Sequence, residues 1–199
     1  MSRGIRRSAA ALLTVLACAL PAGSAQASPH DNAAQATIEQ DGGQAFDFAW
    51  GISTQRGGVV DQSNKAHAAA RCTECEATAI AFQIVIASDA SRVAPTNEAV
   101  ALNLECTRCE VVAEARQFVR VVEDPVKITR AGRAELARVR RALRALEAAD
   151  PPIDELHRAV EAQEARVRDV LGTELVLRSD PSEEADVLDA QLSQDADRG

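Results

Sequence analysis

Residues 68–87 read AAARCTECEATAIAFQIVIA, and residues 102–121, LNLECTRCEVVAEARQFVRV, repeat that plan 34 positions later. Each copy carries Cys-Thr-x-Cys-Glu, then an apolar alternation with a glutamine at the same offset, Gln83 and Gln117. In the first copy Ile80, Phe82, Ile84 and Ile86 point one way and Ala79, Ala81, Gln83 and Val85 the other, the period of two that marks a strand. The second copy keeps the small face as Ala113, Ala115, Gln117 and Val119 but replaces Ile80, Phe82 and Ile86 by Glu114, Arg116 and Arg120. The shared small face is expected to lie under short helices in both copies. The other face is expected to be dry in the first and wet or paired in the second. The first copy then supplies a central strand and the second a strand nearer an edge.

Upstream, Ala33 to Gln40 alternates weakly and runs into Asp41-Gly42-Gly43, a turn signal. Phe46, Phe48, Trp50 and Ile52 then share one side of a period-two run. That pattern predicts an antiparallel hairpin. Asp61 or Ser63 is placed to cap a short helix through Ala66 to Arg71, and Thr96 or Asn97 a second one to Glu105. Helix-then-strand connections of this length favour a parallel crossover. From Thr129 the spacing becomes helical: Leu136, Val139, Leu143 and Leu146, a stop at Asp150-Pro151-Pro152, then Ile153, Leu156, Val160, Val167 and Val170. The first of these helices is rich in arginine, read as a solvated face with interhelical ion pairs rather than a basic recognition surface.

The expected fold class is therefore α+β. It comprises a mixed sheet of about four strands with two short helices, followed by a C-terminal antiparallel helical hairpin of coiled-coil-like spacing. The expected organisation is a signal peptide at 1–27, a repeat-containing sheet domain at 28–125, the helical hairpin at 126–178 on or beside the sheet, and an acidic disordered tail at 179–199.

Residues 1–27 have a basic start (Arg3, Arg6, Arg7), an apolar run from Ala9 to Leu20 and the small-residue end Ala25-Gln26-Ala27. This predicts a secretory signal cut before Ser28. Val15-Leu16-Ala17-Cys18 also resembles a lipoprotein signal box, so a lipid anchor at Cys18 on the cell surface is the alternative to release outside the cell. No later stretch approaches the ~20 apolar residues a membrane span needs. Cleavage removes three of the 22 basic residues and none of the 30 acidic ones, leaving 19 against 30, so the net charge moves from -8 to -11. Such a surface repels nucleic acid and anionic lipid.

With Cys18 removed or acylated, Cys72, Cys75, Cys106 and Cys109 remain, and four thiols allow three pairings that sequence alone does not choose between. Export implies an oxidising compartment and hence two structural disulfides. The repetition of each pair in the same place favours the local bridges Cys72 to Cys75 and Cys106 to Cys109. Cross-bridging would need the two turns to meet. Two C-x-x-C pairs also resemble a four-thiolate zinc site, against which stand export and the absence of glycine in either knuckle. A redox pair wants its thiolate at a helix N-terminus. Here each pair would follow a helix and face its negative end. His67, His30 and His157 are isolated, and no HExxH, phosphate loop or GxSxG occurs. Gln83 and Gln117, on a buried face, must have their amides bonded and are expected to tie the strand to backbone at the cysteine turn.

At Cys72-Thr73-Glu74-Cys75, Ala79-Ile80-Ala81-Phe82-Gln83, Cys106-Thr107-Arg108-Cys109 and Gln117-Phe118-Val119, with Asp31-Asn32, Asp41-Gly42 and Val59-Val60-Asp61 upstream, the chain resembles a family of exported bacterial proteins. These carry tandem C-T-x-C repeats and have no assigned function. It is also similar to the extracytoplasmic part of proteins named as peptide zinc metalloproteases. The resemblance spans Asp31 to about Val176. It implies an accessory domain only, because the membrane-embedded zinc motif of those relatives does not occur in this chain. Glu114 and Arg116 depart from the family's more apolar run.

These readings converge on a secreted, non-catalytic, disulfide-stabilised domain without cofactor. Its expected partner is a protein or peptide of the cell envelope or an export system. The alternative is a thiol-redox or zinc-binding protein built on the two C-x-x-C pairs.

Overall fold

A computed structural model describes residues 30–178. The expected signal peptide, Cys18 and the acidic tail lie outside the described residues. Thirteen elements follow one another: β1 (Asn32–Ile38), β2 (Gln44–Arg56), β3 (Val59–Val60), β4 (Ser63–Ala70), β5 (Glu76–Ser88), β6 (Arg92–Val93), β7 (Thr96–Asn103), β8 (Glu110–Val122), β9 (Val126–Ile128), α1 (Arg130–Arg144), α2 (Leu146–Ala149), α3 (Ile153–Thr173) and β10 (Leu175–Leu177).

The strands pair with the strand one coil away rather than with their sequence neighbours. β1-β4-β7, β2-β5-β8 and β3-β6 form three parallel sheets, and β9 and β10 pair antiparallel. Asn32 stands beside Asn64 and Asn64 beside Asn97, while Gln44, Glu76 and Glu110 form one row in the second sheet. The chain thus winds through three stacked coils, a parallel β-solenoid, in which each coil leaves its hydrogen bonds open for the next.

This overturns the expected α+β plan, since half of the described residues lie in strands and 27% in helices, with three parallel sheets. The segments expected as short helices, Ala66 to Arg71 and Thr96 to Glu105, fall on strands β4 and β7. The expected hairpin around Asp41-Gly42-Gly43 is a coil corner, so β1 and β2 belong to different sheets. The physical reason lies in the alanines. Ala34, Ala36, Ala66, Ala68, Ala77, Ala79 and Ala81 meet between the first and second sheets in a core whose buried apolar members are alanines and cysteines. Only small residues fit this interior, so helix-forming composition coexists with a period-two burial pattern: in β4, Asn64, Ala66, Ala68 and Ala70 are buried while Lys65 and His67 are exposed. Tertiary packing wins over an alanine propensity of a few tenths of a kcal/mol per residue.

The small face of β5 is therefore covered by a sheet, not by helices. Its large face, Ile80, Phe82, Ile84 and Ile86, is what the C-terminal helices cover, through Leu136, Val139, Leu143, Leu156, Val160, Val167 and Val170. The helices are not a layer standing beside a mixed sheet but the lid on one face of the solenoid. Aromatic rings run across this buried face, Trp50 against Phe82 with centroids 6.0 Å apart and Phe82 against Phe118 at 6.1 Å. Where β8 carries charge, α3 answers it: Glu114, 6% exposed, meets His157 Nδ1 at 2.5 Å and Arg116 at 2.7 Å, and Arg116 Nε donates to Glu164 at 2.7 Å.

Local chemistry sets the helix ends. The Thr129 hydroxyl accepts from the Gly132 N–H to begin α1, arginines 141 and 144 sit in its last turn, and Asp154 and Glu155 in the first turn of α3, each matching the helix dipole. Gly132 permits close approach: a Cβ there would lie 2.7 Å from both Ile128 Cγ2 and Glu174 Cβ. Between the helices, Arg166 and then Arg138 hold the Glu135 carboxyl below its ordinary pKa by hydrogen bonding.

Candidate functional site

Two columns of side chains run through the coils, and the cysteine corners form a third. The first column is asparagine. Asn32 Nδ2 donates to Asn64 Oδ1 and Asn64 Nδ2 to Asn97 Oδ1, both at 2.8 Å. The three also donate to the carbonyls of Phe82, Ala81 and Ala115 at 3.0–3.1 Å. This ladder is not among the site residues expected from the sequence. Its signal was there in Asp31-Asn32, Ser63-Asn64 and Thr96-Asn97, a polar pair recurring at each start of a coil.

Next to it lies the glutamine column. Gln83 is 1% exposed and its Nε2 donates to the His30 and Ser63 carbonyls, while Gln117 Nε2 donates to the Gln62 carbonyl and to Gln83 Oε1 at 2.5 Å. The amides are bonded, but at the corner entering β4 rather than at the cysteine turn. In the first coil Gly51 takes their place, and the space is filled by Asn32, whose side-chain atoms would lie 3.3–3.4 Å from a Cβ there. A recess of about 210 Å³ opens beside it, lined by His30, Asn32, Trp50, Gly51, Ser53 and Gln83.

The cysteines occupy the opposite corner. Cys72 with Cys75 and Cys106 with Cys109 are at disulfide distance, with Cα atoms 6.1 and 5.8 Å apart. The corners stack, Thr73 bridging Thr107 and the Glu74 N–H donating to the Thr107 carbonyl at 2.8 Å. This brings Cys75 Sγ to 3.2 Å from Cys109 Sγ. Neither pair follows a helix, so the helix-dipole argument against an activated thiolate does not apply. In the first coil the corner is Asp41-Gly42-Gly43, where Gly42 adopts φ 64° and the Asp41 carboxylate accepts from the Thr73 N–H at 2.7 Å. Glu74 and Arg108 take the same left-handed turn at φ 57° without glycine. Each costs of order 1 kcal/mol for a non-glycine residue, which the four-residue clip holds in place.

Converting both Cys72 and Cys75 to alanine is expected to lower stability by about 2 kcal/mol, the scale for a short closed loop. An unchanged unfolding midpoint in urea would show that the clip contributes nothing.

A third feature is an edge. β7 has no strand beyond it among the described residues, and seven of its eight residues are exposed. Thr96 N–H donates to the Gln62 carbonyl and Leu104 N–H to the Ala70 carbonyl, so the even-numbered residues face β4. By alternation the main-chain groups of Asn97, Ala99, Ala101 and Asn103 face outward. At the other end of the stack the first coil is guarded: the Gln35 N–H is capped by the Asp47 carboxylate at 2.6 Å.

No family model, no curated protein and no solved structure matches the chain. What the fold and its sites define is a class, a short disulfide-clipped parallel β-solenoid with a two-helix cover. Among the described residues no helix is long and apolar enough to cross a membrane.

Proposed function

We propose that this chain is an exported, non-catalytic binding domain that takes an extended segment of a protein or peptide as an added strand along β7. The observation that carries this reading is the edge of β7 at the end of the third coil, beyond which no strand lies among the described residues. Main-chain groups that face outward from a sheet edge form a template for strand addition. Ala99 and Ala101 are exposed, whereas their register partners Ala66 and Ala68 are 0% and 1% exposed, so an added strand also covers apolar surface.

A second copy stacking end to end is disfavoured by the lid. α1 lies against β2 and α3 against β8. Continuing the stack would place the next copy's α1 one strand spacing, about 5 Å, from this α3, where packed helices need 8–10 Å. A single strand on β7, in the sheet away from the helices, meets no such obstacle. The basic start, apolar run and small-residue end of residues 1–27 support export, and the acidic balance sets protein or peptide, rather than nucleic acid, as the partner class. The likeness to the exported C-T-x-C repeat family favours an envelope or export-system partner.

Ala101→Pro tests this, because proline removes an N–H that faces outward and leaves the β4 ladder intact. Peptides selected from a random display library on the wild-type domain are expected to bind the variant about tenfold or more weaker, with the melting temperature preserved. Equal binding by both proteins would remove β7 as the site.

A further inference from the structure

We infer that the stacked cysteine corners constitute a four-thiolate site that holds one soft divalent cation, zinc in particular, when both disulfides are reduced. The inference is independent of the β7 edge. The Sγ atoms of Cys72, Cys75 and Cys109 lie within 4.8 Å of one another, and Cys106 is bonded to Cys109. Tetrahedral zinc with bonds of about 2.3 Å sets its sulfurs about 3.8 Å apart. Successive coils therefore already bring sulfurs of both corners within reach of one ion, across two rungs that register holds together at Glu76 and Glu110.

The sequence objection, that neither knuckle carries glycine, is answered by the backbone. The left-handed turn between the cysteines of each pair forms without glycine, Glu74 and Arg108 taking it at φ 57°. One half of the site is buried, Cys72 at 7% and Cys75 at 0% exposed, and the other half, Cys106 and Cys109, is half-buried. At this corner the third coil repeats the second in both cysteines, the threonine between them and the glutamate that follows, so two knuckles face each other as the halves of such a site.

Reduction takes two electrons per disulfide from an added phosphine, which becomes its oxide, while one water supplies both the oxide's oxygen and the two thiol protons. The four thiols then lose four protons as the cation binds, leaving a site of charge 2-. Guanidinium groups lie on the same rungs, Arg71 paired with Glu105 and Arg108 with Glu74.

The full chain reduced with a phosphine under anaerobic conditions and titrated with cobalt(II) is the test. The expected result is one cobalt per chain, with thiolate-to-cobalt charge-transfer absorption and the visible bands of a tetrahedral ion, both erased by one equivalent of zinc. Cys109→Ser is expected to weaken cobalt binding by about tenfold or more, and the oxidised chain to bind none. Far-UV circular dichroism accompanies the titration, and binding supports the site whether the strands persist before metal or return with it. Absence of the absorption bands, two ions per chain, or equal binding by the oxidised chain would overturn it.

Discussion

Phe82→Ala is expected to lower the free energy of unfolding by about 3–5 kcal/mol, the largest effect of any single truncation in this chain. Phe82 is fully buried at the centre of the middle strand of the second sheet, with Trp50 on one side and Phe118 on the other. Its loss opens a void between that sheet and α1 and α3, which cannot collapse without tilting helices pinned at both ends. The Thr129 cap and the β9–β10 pairing hold one end, and Gln44 Nε2 donating to Asp150 at 2.8 Å holds the turn between them. The single tryptophan reports locally, so its emission is expected to shift to the red in the native state as water reaches the cavity. Urea unfolding followed by fluorescence measures both. A loss under about 1 kcal/mol would mean that the helices do not seal this face.

The second large effect concerns the polar ladder inside the narrow core. Asn64→Ala is expected to cost about 3 kcal/mol, because Asn64 is 0% exposed and takes part in three hydrogen bonds: it accepts from Asn32 and donates to Asn97 and to the Ala81 carbonyl. At about 1 kcal/mol each, with the stranded partners adding desolvation cost, the sum exceeds what a surface amide contributes. Asn97, exposed at the open end of the third coil, serves as the internal comparison, and Asn97→Ala is expected to cost about 1 kcal/mol or less. Equal losses at the two positions would show that the ladder is not a buried, directional column.

The parts of this molecule that could be read in its sequence are those where side chains of contrasting size alternate. β5 was visible because isoleucines and phenylalanine face one way and alanines the other, β8 because it repeats the small face, and the repetition of each C-x-x-C corner favoured its local pairing. β4 and β7 were not, because both faces of AHAAA and NEAVALN are small or mixed, and a strand of alanines carries the composition of a helix. The first coil escaped for another reason. It shares no cysteine with the other two, and its corner, Asp41-Gly42-Gly43, is the signal of a tight hairpin even though it turns one parallel coil. What does recur through all three coils is modest, an asparagine and a run of small inward residues, Asn32-Ala34-Ala36, Asn64-Ala66-Ala68 and Asn97-Ala99-Ala101. At the site, the four cysteines were legible as ligands or bridges, whereas their gathering into one cluster depends on the register of stacked coils. The edge position of β7 could not be anticipated while that segment was read as a helix.

The account rests on parallel stacking of coils one repeat apart, and proton NMR of the labelled domain tests it most directly at Ala66 to Ala70. Stacking predicts strand chemical shifts there and nuclear Overhauser contacts linking the Ala66 row to Ala34 on one side and to Ala99 on the other. Strong sequential amide contacts with helical shifts across Ala66 to Ala70, and no contact between residues one coil apart, would contradict it.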